Sequence, residues 1–160
     1  MNLQEIGFTE YFETQQKEQN LADFDIARVI QEHKERYVLQ NETGQLNGEI
    51  TGKIRFTAHS PADYPAVGDW VAISVFDDSN AIIHDILNRK TVLTRKSVHS
   101  NEDQIIAANI DFAFITTSVD RDFNLNRIER YLSIIHSGKI TPVIILTKTD
   151  LVDKNELKQK

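Results

Sequence analysis

Residues 142–150 read Pro142-Val143-Ile144-Ile145-Leu146-Thr147-Lys148-Thr149-Asp150. An apolar, partly β-branched run that ends at once in a polar tetrad is the pattern of a buried parallel strand. Such a strand delivers its loop to the carboxyl edge of an α/β sheet, where these sheets bind ligands. The tetrad has chemistry to match that place. An ionised Asp150 carboxylate can accept two donors lying side by side, and guanine presents such a pair in its N1 hydrogen and exocyclic amine. Adenine offers an acceptor at that ring nitrogen and no neighbouring amine. It would leave the carboxylate desolvated and unpaired, and a missing polar partner discriminates more strongly than a change of shape. Lys148 can lay its aliphatic stem along a base while its ammonium stays hydrated. The Thr147 hydroxyl, which both donates and accepts, stands where such motifs commonly carry Asn.

Working upstream, residues 110–116 form another apolar run of strand type. Residues 125–137 place Ile128, Tyr131, Leu132 and Ile135 at the spacing of one helical face. Asn124 can cap that helix and Gly138 can end it. The order strand, helix, strand predicts one βαβ crossover, with a second helix beginning near Asp153. One crossover cannot cover both faces of a sheet, so the α/β part is expected to be incomplete.

Residues 24–89 have a different texture. Strands are predicted over 25–31, 36–40, 48–51, 53–58, 69–76 and 81–87, separated by turn formers such as Asn41-Glu42-Thr43-Gly44, Ser60-Pro61-Ala62-Asp63 and Asp77-Asp78-Ser79-Asn80. Short strands with no helix among them fit a small closed barrel, because closure removes the sheet edges. The fold class expected is therefore a β-barrel, OB-fold-like with a Greek key, followed by an incomplete α/β parallel-sheet unit. Trp70 could stack on a base, although a Trp in a strand of a small barrel is more often core. Ahead of the barrel, Ile6, Phe8, Tyr11 and Phe12 suggest an arm or short helix that docks on the residues after it. The domains expected are thus an arm over 1–23, a barrel over 24–98, and a linker with the first part of a truncated second domain over 99–160.

Composition excludes several classes. The chain has 160 residues and no cysteine, so disulfides and thiolate metal sites are absent from it. His33, His59, His84, His99 and His136 are scattered without ligand spacing, and no metal held by protein ligands alone is expected. The polar, acidic first residues resemble neither a signal nor a transit peptide. No apolar run is long enough to span a membrane, so no membrane partner and a cytoplasmic location are expected. Net charge is −6, yet it is unevenly spread. Residues 1–85 carry 6 Lys and Arg against 15 Asp and Glu, whereas residues 86–100 carry 4 against none. Arg89, Lys90, Arg95 and Lys96 in that basic stretch, with Lys53 and Arg55, are the candidate contacts to RNA phosphates.

A guanine site also needs a glycine-rich loop for the phosphates. The glycines at 7, 44, 48, 52, 68 and 138 do not begin one. Either the tetrad is accidental or the motif order is permuted, with the phosphate loop beyond residue 160. Four ordered blocks speak to that choice: Tyr64-Pro65-Ala66-Val67-Gly68-Asp69-Trp70-Val71, then ILNRKTVLTRKS over 86–97, QIIAANID over 104–111, and LNRIERYLSIIHSGKITPVIILTKTDL over 125–151. Together they resemble the ribosome small-subunit-dependent GTPases of the YjeQ/RsgA type. The resemblance covers about residues 24–152.

The resemblance implies an OB barrel, then a circularly permuted GTPase domain whose guanine motif precedes its phosphate loop, then a small zinc-binding domain. Thr147, Lys148 and Asp150 match the guanine motif, with Thr147 in place of the commoner Asn. The phosphate loop, the switch regions and the zinc ligands have no counterpart here, so the chain resembles an amino-terminal portion. No residue is assigned a catalytic role, and the chain alone is expected neither to hydrolyse GTP nor to hold a cofactor. The complete protein would bind GTP or GDP with magnesium, act as a GTPase on the small ribosomal subunit and its rRNA in late maturation, and be a monomer. A freestanding RNA-binding barrel without nucleotide function is the alternative.

Overall fold

The computed structural model of the protein describes residues 2–34, 36–96 and 103–152. Contacts divide the chain into two units, Met1–Asn109 and Ile110–Lys160. In the first unit β1 (Asp25–His33), β2 (Arg36–Gln40), β3 (Gln45–Ile50), β4 (Trp70–Val75) and β5 (Asn80–Ile86) close into a barrel in the order β1-β2-β3-β5-β4. Every neighbouring pair is antiparallel except β3 with β5, which run parallel. That order is the five-stranded Greek-key arrangement of an OB barrel.

Alternation along the strands fills the inside. Ala27 and Val29 of β1, Leu39 of β2, Leu46 and Ile50 of β3, Val71 and Ile73 of β4, and Ala81 and Ile83 of β5 form one buried cluster. At Gly48 a side chain would not fit, since a Cβ there would lie 2.7 Å from Leu39 Cδ1. The opposite face of β1 and β4 is also covered. Ile26, Trp70 and Ala72 pack with Phe8 and Phe12 from the arm, which comprises a 3₁₀ turn at Leu3–Ile6 and helix α1 (Glu10–Glu18). Hence four successive residues of β4, Trp70 to Ile73, are buried on both sides. Trp70 is core, wedged edge-on to Phe8 at 4.9 Å, and is not a platform for a base.

One expected strand is a helix. Residues 53–58 alternate apolar and polar, but the chain forms α2 (Gly52–Thr57), with Thr51 Oγ1 accepting from Ile54 N. Only Ile54 finds a place in the core; Phe56 stands 89% exposed. A hairpin also replaces part of the expected linker: β6 (Val92–Lys96) pairs antiparallel with β7 (Asp103–Ala108). Gly68, at φ +94°, lets the barrel meet this hairpin closely, and a Cβ there would lie 2.1 Å from the Ala108 carbonyl oxygen. Asn109 completes the junction, donating to Gly68 O and accepting from Lys90 N.

The second unit contains β8 (Phe112–Ser118), helix α3 (Leu125–Ser137) and β9 (Thr141–Thr147). The two strands are parallel, paired from Phe112 with Thr141 to Ser118 with Thr147. Asn124 caps α3 by accepting from Arg127 N, and Ile128 and Ile135 are its buried residues. Gly138 takes the C-cap, but the left-handed residue is Lys139. Of the stripe read from the sequence, Tyr131 is half exposed. The helix expected near Asp153 lies outside the described residues, as does most of the linker around 97–102.

Candidate functional site

Parallel pairing brings the carboxyl ends of β8 and β9 side by side, and that edge carries the tetrad. The junction is fastened three ways. Val119 N donates to Thr147 O at 3.1 Å, and Thr147 Oγ1 donates to Thr117 O at 3.3 Å. Lys148 then turns the chain in a left-handed conformation, φ 56°, uncommon for a residue with a Cβ. Its ammonium reaches Asp120 Oδ2 at 2.7 Å.

Asp120 is held on its other oxygen, where Oδ1 accepts from Ser118 Oγ at 2.6 Å and from Asp122 N at 3.2 Å. The hydrogen bond from Lys148, with those from Ser118 and Asp122, keeps the Asp120 carboxyl well below the usual carboxylate range. The same pairing raises the Lys148 ammonium above its ordinary value. Asp150 follows in a 3₁₀ turn, Thr149–Leu151. It is exposed, and among the described residues no hydrogen bond or ion pair ties its carboxylate to the protein. Thr147, Lys148 and Asp150 thus share one loop, with Thr147's hydroxyl occupied by β8 and Asp150's carboxylate open.

The residues present fit the base of a guanine nucleotide and not its phosphates. Asp150 supplies an acceptor pair that no described residue engages and Lys148 an aliphatic stem, whereas the loop closing β8, Ser118 to Asn124, contains no glycine. Among the described residues no group of three or more His, Asp or Glu could hold a metal ion, and no helix is long and apolar enough to cross a membrane.

The six candidate RNA contacts fall on three elements of the first unit. Lys53 and Arg55 are exposed on α2 rather than on a strand, and Lys90 is exposed beside the hairpin. Arg95 and Lys96 are exposed on β6, Arg95 donating to Gln104 Oε1. Arg89 differs. Its Nε donates to both oxygens of the fully buried Asp69, Nη2 donates to Asp69 Oδ2 and Tyr64 O, and Nη1 donates to Ala62 O. Its guanidinium is committed to the barrel, leaving no free fork for a phosphate. Asp120 and Ser118, which the sequence reading did not single out, join the Lys148 turn through the Asp120 carboxylate. The signal was there, since Ser118 and Asp120 lie at the end of a strand parallel to the one carrying Thr147.

A closed OB-type barrel is thus followed along the chain by a parallel strand pair whose carboxyl edge carries the Thr147–Asp150 loop. Two solved structures share the fold: YjeQ from Thermotoga maritima, with TM-score 0.66 and 22% identity over 84% of this chain and 45% of that one, and YloQ, described as a circularly permuted GTPase, with TM-score 0.63 and 21% identity over 85% and 45%. Residues 86–160 match the family model described as RsgA GTPase. The small ribosomal subunit biogenesis GTPase RsgA 2 of Lactiplantibacillus plantarum is 44% identical over 79% of this chain and 36% of its own length. The RsgA of Opitutus terrae is 37% identical over 94% and 44%. The chain belongs to the RsgA GTPase family, and it spans less than half the length of either of these curated relatives.

Proposed function

We propose that this chain is the amino-terminal part of a ribosome biogenesis GTPase, in which the barrel unit faces rRNA of the small subunit and the β8–β9 edge supplies the guanine-recognising wall of the nucleotide site. The observation that carries the reading is the Thr147–Asp150 loop: fastened at Thr147 and Lys148, it presents an exposed Asp150 carboxylate, engaged by none of the described residues, at the carboxyl edge of a parallel sheet. GTP or GDP with magnesium is the nucleotide, bound by the complete protein with a phosphate loop from other polypeptide. Zinc belongs to a further domain. The chain alone does not hydrolyse GTP, and it works as a soluble cytoplasmic monomer. Its rRNA contacts are drawn from Lys53, Arg55, Lys90, Arg95 and Lys96, with Arg89 as their structural support.

Asp150→Asn in the full-length protein tests the reading. The amide oxygen still accepts from N1–H, but the amide nitrogen faces the guanine amine donor to donor, and it can donate to the xanthine oxygen instead. Competition binding is expected to show a loss of about a hundredfold or more for GDP and a gain for xanthosine diphosphate. Unchanged guanine preference would remove the guanine assignment and leave a freestanding RNA-binding barrel as the better account.

A further inference from the structure

We propose that Asp120 is a positioning residue for the nucleotide base: its carboxylate holds the Lys148 ammonium so that the lysine stem stands as a wall of the guanine pocket before nucleotide arrives. The inference rests on the guanine reading above.

A lysine at a loop is normally free to sample many rotamers, and an exposed ion pair alone does little to restrict it. Here the acceptor is fixed first. Ser118 Oγ and Asp122 N both bond Asp120 Oδ1, which leaves Oδ2 directed at Lys148 Nζ, 2.7 Å away. The lysine backbone is fixed as well, by its left-handed turn and by the Val119–Thr147 and Thr147–Thr117 bonds that join the two strand ends. With both ends of the side chain held, the methylenes must run between the loop backbone and Asp120. Their apolar surface can meet a purine face while the charge stays paired and solvated at half exposure. A base that finds its wall already in place does not have to order it on binding.

The chemistry also predicts what Asp120 does not do. A stem lying against the ring face contacts surface common to every purine, so Asp120 should set affinity without setting choice of base. Asp150 reads the edge and sets that choice.

Asp120→Asn is the discriminating variant. Its amide oxygen can still accept from Ser118 Oγ and Asp122 N, preserving the loop, while its amide nitrogen confronts the Lys148 ammonium donor to donor. In the full-length protein, GDP, IDP and XDP are each expected to bind roughly two- to fivefold more weakly, by the same factor. Lys148→Ala should give a similar loss, and the double variant should be no weaker than Lys148→Ala alone. Losses that add, or an Asp120→Asn protein binding like wild type while Lys148→Ala is weakened, would overturn the proposal. So would a loss of guanine preference in Asp120→Asn, since that reports displacement of Asp150 and a merely structural role. If Asp150→Asn switches base preference and Asp120→Asn is silent, only this inference fails. If the wild-type protein binds no guanine nucleotide, the reading beneath it fails too.

Discussion

The barrel encloses an apolar core between its own strands, and the strand pair β8–β9 leaves one face of large apolar residues in solvent. In the first unit Leu39, Val71 and Ile83 are at 0% exposure, and even the outer face of β4 is sealed by Phe8 and Phe12. In the second, Ile115 and Thr117 of β8 are buried, as are Ile128 and Ile135 of α3. The alternate residues of β8, Phe112 and Phe114, stand 62% and 67% exposed, and Ile145 of β9, which pairs with the next alternate residue, Thr116, is 38% exposed. A closed barrel with a docked arm covers the inside of its strands and the outer side of Trp70 and Ala72 from within its own unit. A two-stranded parallel sheet with one helix has a second apolar face that asks for cover. The difference separates a unit with an enclosed core from one that leaves a row of large apolar residues in solvent.

The largest effect on that contrast should come from the barrel's own centre of charge. Arg89→Ala leaves Asp69 buried without its partner and removes donors from Ala62 O and Tyr64 O, so it should cost about 3–5 kcal/mol. Arg89→Lys should recover little, because an ammonium cannot reproduce the fork. Trp70 is the sole tryptophan, so its fluorescence in urea follows the barrel alone, and far-UV circular dichroism follows the whole chain. Self-sufficiency of the barrel requires the fluorescence midpoint to fall. A variant as stable as wild type would show that the ion pair is not what fastens Asp69.

Smaller, and opposite in logic, is the effect of Phe114→Asn. In the 160-residue chain the ring is two-thirds exposed, so its replacement should change stability by no more than about 0.5 kcal/mol. In the full-length protein, if further polypeptide covers that face, the same change should cost about 1.5–3 kcal/mol. Equal effects in the two would mean the face is never covered, and the comparison between the units would lose its meaning.

The barrel was legible because its strands alternate and its turns are marked by Asn, Asp, Gly and Pro. Legibility failed where alternation had another cause. Ile54 and Phe56 are two apart and read as one strand face, yet Thr51 caps a helix there and only Ile54 is buried. The hairpin partner β7 was hidden because its pairing with β6 is set by contacts that local pattern does not record. Charge misled at Arg89 for the same reason: composition displays a cation, while its buried partner lies twenty residues away. At the β8–β9 edge the sequence supplied Thr147, Lys148 and Asp150. The pairing of Asp120 with Lys148 emerges only once two parallel strands are laid side by side.

The finest test of the contrast uses the hairpin. Arg95 and Lys96 are exposed cations on β6, in a unit whose first 85 residues are strongly acidic, so they are suited to local contact with phosphates rather than to general attraction. Each neutralised phosphate releases counterions, and removing two contacts should lower the slope of log affinity against log salt by about 1.4 for single-stranded RNA. Arg95→Ala with Lys96→Ala should therefore weaken binding to small-subunit rRNA mainly at low salt, by an amount that shrinks as salt rises, with no change in GDP affinity. An unaltered slope would move the RNA surface elsewhere on the barrel, to α2 with Lys53 and Arg55. A parallel loss of GDP affinity would show that the hairpin serves the nucleotide edge as well, and the division of labour between a platform for RNA and a wall for guanine would no longer hold.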